Sequence, residues 1–405
     1  MSKVIVIGGG ASGMLAATIA SKNNEVIILE SNDKCGKKIL LTGNGKCNYW
    51  NSDINIGKYY SSDNSVLNNI INSSNQEKVL SLLENIGIYP KIKNGYYYPY
   101  SGQASSIKNL LLLELEKRNV QIINNFKVDR IVKQNNIFYV YSNNEKIECD
   151  KVILATGSKA CPKTGSDGSG YLLAKEFGHS INNITPALVQ LIGLDNSFKD
   201  WDGVRCDSKV SLYVDGLKVC EDTGEIQLTN YGISGIVTFN ISGYAAMALN
   251  NKNRVSVNIN FVPWLVEDFN TWFTTRNSEI SNRTIEELLE SVIPYKLMHV
   301  IFKKANIDRS DKWNDLTNDK KELLSLYIEK FPLEIIGTND YDKAQVCRGG
   351  IPLNEINPLT MESNIVSDLY LVGELLDVDG GCGGFNLAFA FISGFLAGSS
   401  INDKN

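Results

Sequence analysis

The first thirty residues carry a pattern that few folds satisfy. Val4-Ile-Val-Ile7 is a short unbroken apolar run, Gly8-Gly-Gly10-Ala11-Ser12-Gly13 follows at once, and Val26-Ile-Ile-Leu29 is a second run ending on Glu30. Unbroken apolar runs suit strands covered on both faces, as in a parallel sheet, whereas half-exposed strands alternate. Each glycine of the GxGxxG spacing then has a physical role: Gly8 permits a tight turn, Gly10 lets the backbone approach a pyrophosphate, and Gly13 lets a helix pack closely on the strand. Ala11 and Ser12 fall in the first turn of that helix, whose amides direct partial positive charge at the anion. Glu30, with Ser31 beside it, stands where a carboxylate accepts both hydroxyls of an adenosine ribose. That favours FAD or NAD over NADP.

The charge balance, forty Lys and Arg against forty-five Asp and Glu for a net charge of −5, leaves no basic stripe, so no nucleic-acid partner is expected. The N-terminus runs into the first strand without a cationic leader, and no run of about eighteen apolar residues stands out to span a bilayer. A cytoplasmic protein with no membrane partner is expected. Eight dispersed cysteines show neither CxxC nor zinc spacing and read as reduced thiols, and with only His179 and His299 no histidine metal site or triad is expected.

Along the chain, Lys34 to Asn48 is too glycine-rich for one helix and too apolar in its middle for a free linker, which predicts a packed loop beside the cofactor. Residues 65 to 86 and Ser105 to Arg118 carry helical patterns. Val120 to Ile123, Phe126 to Val132, Ile137 to Tyr141 and Lys146 to Cys149 alternate like strands of a small antiparallel element. Lys151-Val-Ile-Leu154-Ala155-Thr156-Gly157 returns to a buried parallel strand. Short alternating strands (Val210 to Val214, Glu225 to Leu228, Val255 to Asn260) then mark a β-rich insert. Asp268 to Ile335 reads as helical, most clearly at Thr284 to Ile293 and Lys321 to Phe331. The end of the chain, Asp368 to Glu374, then Gly380 to Asn386, then Leu387 to Ala397, is again strand, glycine loop and helix. The fold class is therefore α/β, a Rossmann-like FAD domain of the two-dinucleotide-binding type with an inserted barrel-like β-rich domain and a small helical domain. The expected boundaries are 1–188 with 340–405 for the nucleotide domain, 189–265 with part of 332–345 for the insert, and 266–331 for the helices.

Three glycine motifs far apart in sequence thus end strands of one sheet, and the open edge of such a sheet is where ligands bind. Their convergence favours FAD. A nicotinamide enzyme relies mainly on the first motif, while FAD in two-dinucleotide-fold proteins also uses an Ala-Thr-Gly and a C-terminal Gly-acid pair. No second GxGxxG follows a strand, so a dedicated NAD(P)H domain is not expected, and NAD(P)H enters only as a transient electron donor, with a donor protein as the alternative.

Thr42-Gly-Asn-Gly-Lys-Cys-Asn48, Ala155-Thr-Gly157 with Pro162-Lys-Thr-Gly165, and Gly373-Glu-Leu-Leu-Asp377-Val-Asp379-Gly380 with Gly383-Gly-Phe-Asn386 together resemble the BaiN-like or aminoacetone-oxidase-like family of bacterial FAD-dependent oxidoreductases, over almost the whole chain. The family usually has Arg at Lys46 and Thr at Cys347 and Cys382. The resemblance implies FAD held by Gly8, Gly10, Ala11, Ser12, Gly13, Glu30 and Ser31 at the diphosphate and ribose. It implies a loop beside the flavin of Lys38 with Thr42, Gly43, Asn44, Gly45, Lys46, Cys47 and Asn48. Val128 would meet the adenine through its backbone, Ala155, Thr156 and Gly157 would form the middle motif, and Gly373, Glu374, Gly384, Phe385 and Asn386 would take the ribityl and pyrimidine side. It further implies either reduction of an activated C=C of a small organic substrate, as in bile-acid metabolism, or oxidation of a small amine by dioxygen. A tRNA-modifying flavoprotein and a non-catalytic flavin-binding protein are the remote alternatives.

Individual residues divide between chemistry and packing. Cys47 has no second cysteine within five residues, so a packed or flavin-contacting thiol is expected over a redox centre. Cys382 is read as a small residue filling a tight loop, His179 as a helix cap, and Tyr96 to Tyr98 as core or domain packing more than a substrate wall. Arg348, in a glycine loop, suits a substrate carboxylate or the flavin's anionic edge as well as a surface salt bridge. No acid/base pair emerges, and the oligomeric state is not legible.

Overall fold

A computed structural model describes residues 1–143, 145–195, 198–280 and 282–403. The chain divides into two units, Met1–Ile184 with Gln345–Asn405, and Thr185–Ala344. In the first, β1 (Lys3–Ile7), α1 (Ala11–Ala20) and β2 (Glu25–Leu29) form the βαβ unit that the opening pattern dictates. Five parallel strands lie in the order Leu369–Leu371, Lys151–Leu154, β1, β2, Gln121–Ile123. The register aligns their carboxyl ends: Ile7 pairs with both Leu29 and Leu154, and Leu154 with Leu371. Gly8, Glu30, Ala155 and Val372 therefore leave the sheet at one edge, where a doubly wound sheet binds ligands.

Residues 120–123 correct the sequence reading. They do not join the antiparallel element, because the helix Ala104–Lys117 carries the chain back as a crossover and Gln121–Ile123 adds to β2 in parallel. The antiparallel sheet has three strands, Arg130–Gln134, Ile137–Ser142 and Glu145–Cys149, so Phe126 to Asp129 lie outside it. The helical stretch of residues 65–86 is two helices, Asn64–Ile70 and Ser73–Asn85. Asn72 breaks the stretch by accepting the Asn75 amide as an N-cap.

The C-terminal helix, Phe385–Asp403, corrects the expectation about apolar runs. It is long and apolar enough to cross a membrane by length and composition, but 72% of its most apolar eighteen residues are buried. It lies on α1 through two glycines four residues apart: a Cβ on Gly394 would stand 2.3 Å from the Ser12 carbonyl oxygen, and one on Gly398 2.6 Å from that of Ala16. Their absence of side chains is what lets two backbones come that close.

The second unit is built on a closed six-stranded barrel. Around it run Leu191–Leu194, Gly232–Gly235, Leu217–Thr229, Arg205–Val214, Val255–Asn260 and Phe331–Thr338. The last strand corrects the helical reading of residues 331–335: the preceding helix, Asn318–Glu329, stops before Lys330, and Phe331, Leu333 and Ile335 then alternate inward. Helices Phe269–Glu279, Ile285–Leu289 and Tyr295–Ala305 share one core with the barrel, in which Phe273, Leu288 and Ile301 lie with Val210, Val257 and Leu333.

Candidate functional site

The glycine turn after β1 behaves as its spacing demands. Gly8 has φ +104°, and a Cβ there would meet the Ala155 carbonyl oxygen at 2.4 Å; one on Gly13 would meet the Gly8 oxygen at 2.0 Å. At Gly10, by contrast, a Cβ would have no atom within 4 Å. No N-cap side chain takes up the first amides of α1, because Gly10 has none to offer. Gly9, which the spacing passes over, is as constrained as its neighbours. Its N–H donates to Glu30 Oε2 at 2.8 Å, and a Cβ would fall 2.3 Å from Cys35 Sγ.

Glu30 is buried, and its Oε1 accepts from the backbone and side-chain nitrogens of Asn32, both at 2.8 Å, and from Ser31 Oγ at 3.3 Å. The carboxylate is thereby fixed at the end of β2. The Phe126 amide donates to the Glu30 carbonyl at 2.9 Å, which brings the segment bearing the buried Val128 alongside.

The middle and C-terminal motifs meet the first. Gly373 stands against Ser12, where a Cβ would be 2.6 Å from Ser12 Oγ, and its amide donates to Ser393 Oγ at 3.0 Å. A Cβ on Gly13 would lie 3.0 Å from that of Ala155. Gly157 has φ +74°. Thr156 Oγ1 is buried without a hydrogen-bond partner among the described residues. Lys38 Nζ is 2.5 Å from Glu374 Oε2, to which Ser158 Oγ also donates at 3.0 Å. Glu374 is thus neutralised by Lys38. Ser158 is a residue the sequence reading missed, although it directly follows Ala155-Thr-Gly157.

The loop of residues 42–48 turns sharply. Gly43, Asn44, Gly45 and Cys47 all have φ between 53° and 79°. Thr42 Oγ1 donates to the Ile39 carbonyl at 2.7 Å, Cys47 N to the Thr42 carbonyl at 3.0 Å, and Lys46 is exposed. Burial pushes the Cys47 thiol up to about 11, against a hydrogen bond to Thr42 that lowers it, so it stays protonated at neutral pH. Asn48, oriented with its amide nitrogen toward two carbonyls, donates to Trp50 at 2.9 Å and Tyr97 at 3.1 Å. It also reaches Gly384, where a Cβ would lie 2.8 Å from the Asn48 amide nitrogen so oriented and 2.6 Å from the Trp50 carbonyl oxygen.

Asn386 and Phe385 face inward. The Asn386 amide closes on Gly380, accepting from its nitrogen and donating to its oxygen, both at 2.8 Å. Phe385 is buried, edge-on to Tyr59, whose hydroxyl donates to the Phe385 carbonyl at 3.0 Å. These two residues shape the glycine loop from behind. The open Gly10, the uncapped helix start and the anchored Glu30 form a cradle that fits an FAD.

Two residues correct the sequence reading. Arg348 is neither a surface ion pair nor an open anion receptor: it is 4% exposed, its Nε and Nη2 meet Asp379 at 3.0 and 2.9 Å, and its guanidinium lies 3.8 Å from the Tyr60 ring centroid. Burial raises the Asp379 carboxyl above its ordinary range while Arg348 pulls it down. His179 does not cap a helix with its ring, which is buried between Glu355 Oε2 and Ser363 Oγ, 2.8 Å from each.

Residues 2–400 match the model of the HI0933-like protein Rossmann domain. The chain belongs to this HI0933-like family. Among relatives of this family member is the 3-dehydro-bile acid delta(4,6)-reductase of Clostridium scindens, 37% identical over 408 residues and the full length of both chains. The ribosomal RNA dihydrouridine synthase of Escherichia coli is 26% identical, over 98% of this chain and 97% of that one. Solved structures with the same fold include the open conformation of a flavocytochrome c3 fumarate reductase, with a TM-score of 0.52 and 14% identity over 99% of this chain and 78% of that one. The 3-ketosteroid-delta4-(5alpha)-dehydrogenase of Rhodococcus jostii is another, with a TM-score of 0.51 and 14% identity over 99% and 96%.

Proposed function

We propose that this FAD-dependent oxidoreductase saturates a C=C bond conjugated to a carbonyl in a small steroid-like molecule. The observation that carries the reading is full-length identity of 37% with a bile-acid reductase. A 3-keto compound with a double bond at position 4 is an enone, and its far alkene carbon is electrophilic. Bound flavin, once reduced, would supply the hydride for that carbon from its N5, and a solvent proton would complete the saturation at the near alkene carbon. The chain's part is to hold and tune. The first turn of α1 and Gly10 receive the diphosphate, Glu30 the ribose, and the loops of residues 42–48 and 380–386 the ring system.

NAD(P)H is the proposed reductant, reaching the flavin directly because the sequence offers no second dinucleotide motif. A cytoplasmic setting suits eight cysteines, all described, of which none forms a disulfide. A second reading comes from the dihydrouridine synthases: uracil also carries a C=C conjugated to a carbonyl, so the same chemistry on RNA is the competing proposal. The net charge of −5 weighs against it.

The FAD-loaded protein, mixed anaerobically with NADPH or NADH and then with 4-androstene-3,17-dione, is expected to return a steroid heavier by two hydrogens. Saturation of uridine in ribosomal RNA, with no change in the steroid, would transfer the activity to the second reading. Peroxide formed from a small amine in air would replace both with the oxidase alternative.

A further inference from the structure

The strand Tyr96–Pro99 pairs on one side with Pro90–Lys93 and on the other with Trp50–Asn51. Successive side chains of a strand point to opposite faces. Tyr97 takes the core side, edge-on to the buried Tyr49 with ring centroids 6.2 Å apart. Tyr96 and Tyr98 take the other side, and each lies against a different glycine loop. Tyr96 Cε1 is 2.8 Å from where a Cβ on Gly383 would be, and Tyr98 Cε1 is 3.7 Å from the equivalent point on Gly43. Asn51, opposite Tyr96, ties the strand to the same loop by donating to the Gly383 carbonyl at 2.9 Å.

Both rings are half-buried, and among the described residues neither hydroxyl has a hydrogen-bond partner, unlike that of Tyr59. Half-buried phenol tips of this kind are open to water or to a ligand. Burial, reinforced by the neighbouring Tyr96, raises the Tyr98 phenol above its usual value, so it remains a donor through neutral pH.

We propose that the hydroxyls of Tyr96 and Tyr98 are the hydrogen-bond donors that receive the carbonyl oxygen of the enone substrate. This rests on the functional reading above, in which the loops of residues 42–48 and 380–386 border the flavin. As hydride adds to the far alkene carbon, the displaced electron pair places negative charge on that oxygen, and uptake of a solvent proton at the near alkene carbon then restores the ketone. Fixed neutral donors are worth most where such charge develops, removal of one typically costing about 100- to 1000-fold in rate.

The test compares Tyr96→Phe, Tyr98→Phe and the double variant with wild type and Tyr97→Phe, all full-length and FAD-loaded. Flavin content and melting temperature show whether the site is intact. The dissociation constant of 4-androstene-3,17-dione for the oxidised protein, read from perturbation of the flavin absorption band, reports binding without turnover, and kcat and KM follow separately. The expected result is unchanged flavin content and at least tenfold lower kcat in each single variant. Steroid binding should weaken severalfold, further in the double variant, and Tyr97→Phe should match wild type. An active wild type whose double variant keeps its steroid affinity and kcat would overturn the assignment. A wild type that takes up no FAD, or takes it up and neither binds nor reduces the steroid, would overturn the functional reading as well.

Discussion

Arg348 donates two hydrogen bonds to Asp379 where both side chains are buried, so each charge depends on the other. Removing one partner of such a pair leaves a buried charge uncompensated, at a cost of about 3–5 kcal/mol. Arg348→Met is therefore expected to lower thermal stability by that amount in a reversible melt, and adding Asp379→Leu should recover part of it. No sequence rule pairs residues 31 positions apart, which is why Arg348 read equally well as a substrate receptor. Cys47 was more legible, since the lack of a nearby cysteine argued for packing. It is fully buried, and burial holds its thiol, like that of Cys347, near 11. Both remain protonated at neutral pH and gain thiolate only as the pH rises toward that value. Brief iodoacetamide treatment of the folded protein at neutral pH should leave both unmodified by peptide mass spectrometry, while treatment in denaturant should label them. Labelling of Cys47 in the folded state would contradict this.

At the scale of elements, α1 depends on two partners for its position. Its own sequence supplies Gly13 for the contact with β1, and the C-terminal helix supplies Gly394 and Gly398 some 380 residues later. A methyl group at Gly394 would strike the Ser12 backbone, which cannot rotate away. Overpacking of this kind costs about 1–3 kcal/mol, and here it would also displace the turn whose amides face the diphosphate. Gly394→Ala is expected to lower both the melting temperature and the ratio of flavin to protein after purification. Normal flavin retention would show that α1 tolerates the shift. The strands of this sheet were legible where they are central: β1, β2 and Lys151–Leu154 are apolar at nearly every position because side chains on both of their faces are buried. Gln121–Ile123 is short and at an edge, so its pattern fits either sheet. Phe331–Thr338 continues an apolar series begun in the preceding helix, and only closure of the barrel makes it a strand.

For the whole molecule, two cores stand where one chain folds twice, the first around the parallel sheet and the second around the barrel and its helices. A ligand that binds only folded protein stabilises what it touches, by about 2.7 kcal/mol at a hundredfold excess over its dissociation constant. The residues proposed to hold FAD all belong to Met1–Ile184 and Gln345–Asn405. Calorimetry with increasing FAD should therefore raise the transition of that unit and leave any separate transition of Thr185–Ala344 in place. Equal shifts of both would mean that the units melt as one. The sequence alone determined the βαβ unit, the glycine conformations and the nucleotide chemistry, because a tight turn, a helix start and a strand end are made by residues adjacent in the chain. Only the tertiary structure decided that Lys38 meets Glu374, that Asp379 engages Arg348, that His179 is locked between Glu355 and Ser363, and that Tyr96 and Tyr98 reach the two glycine loops. Those contacts join polar groups far apart in sequence, and burial selects them only once the sheet has brought its ends together.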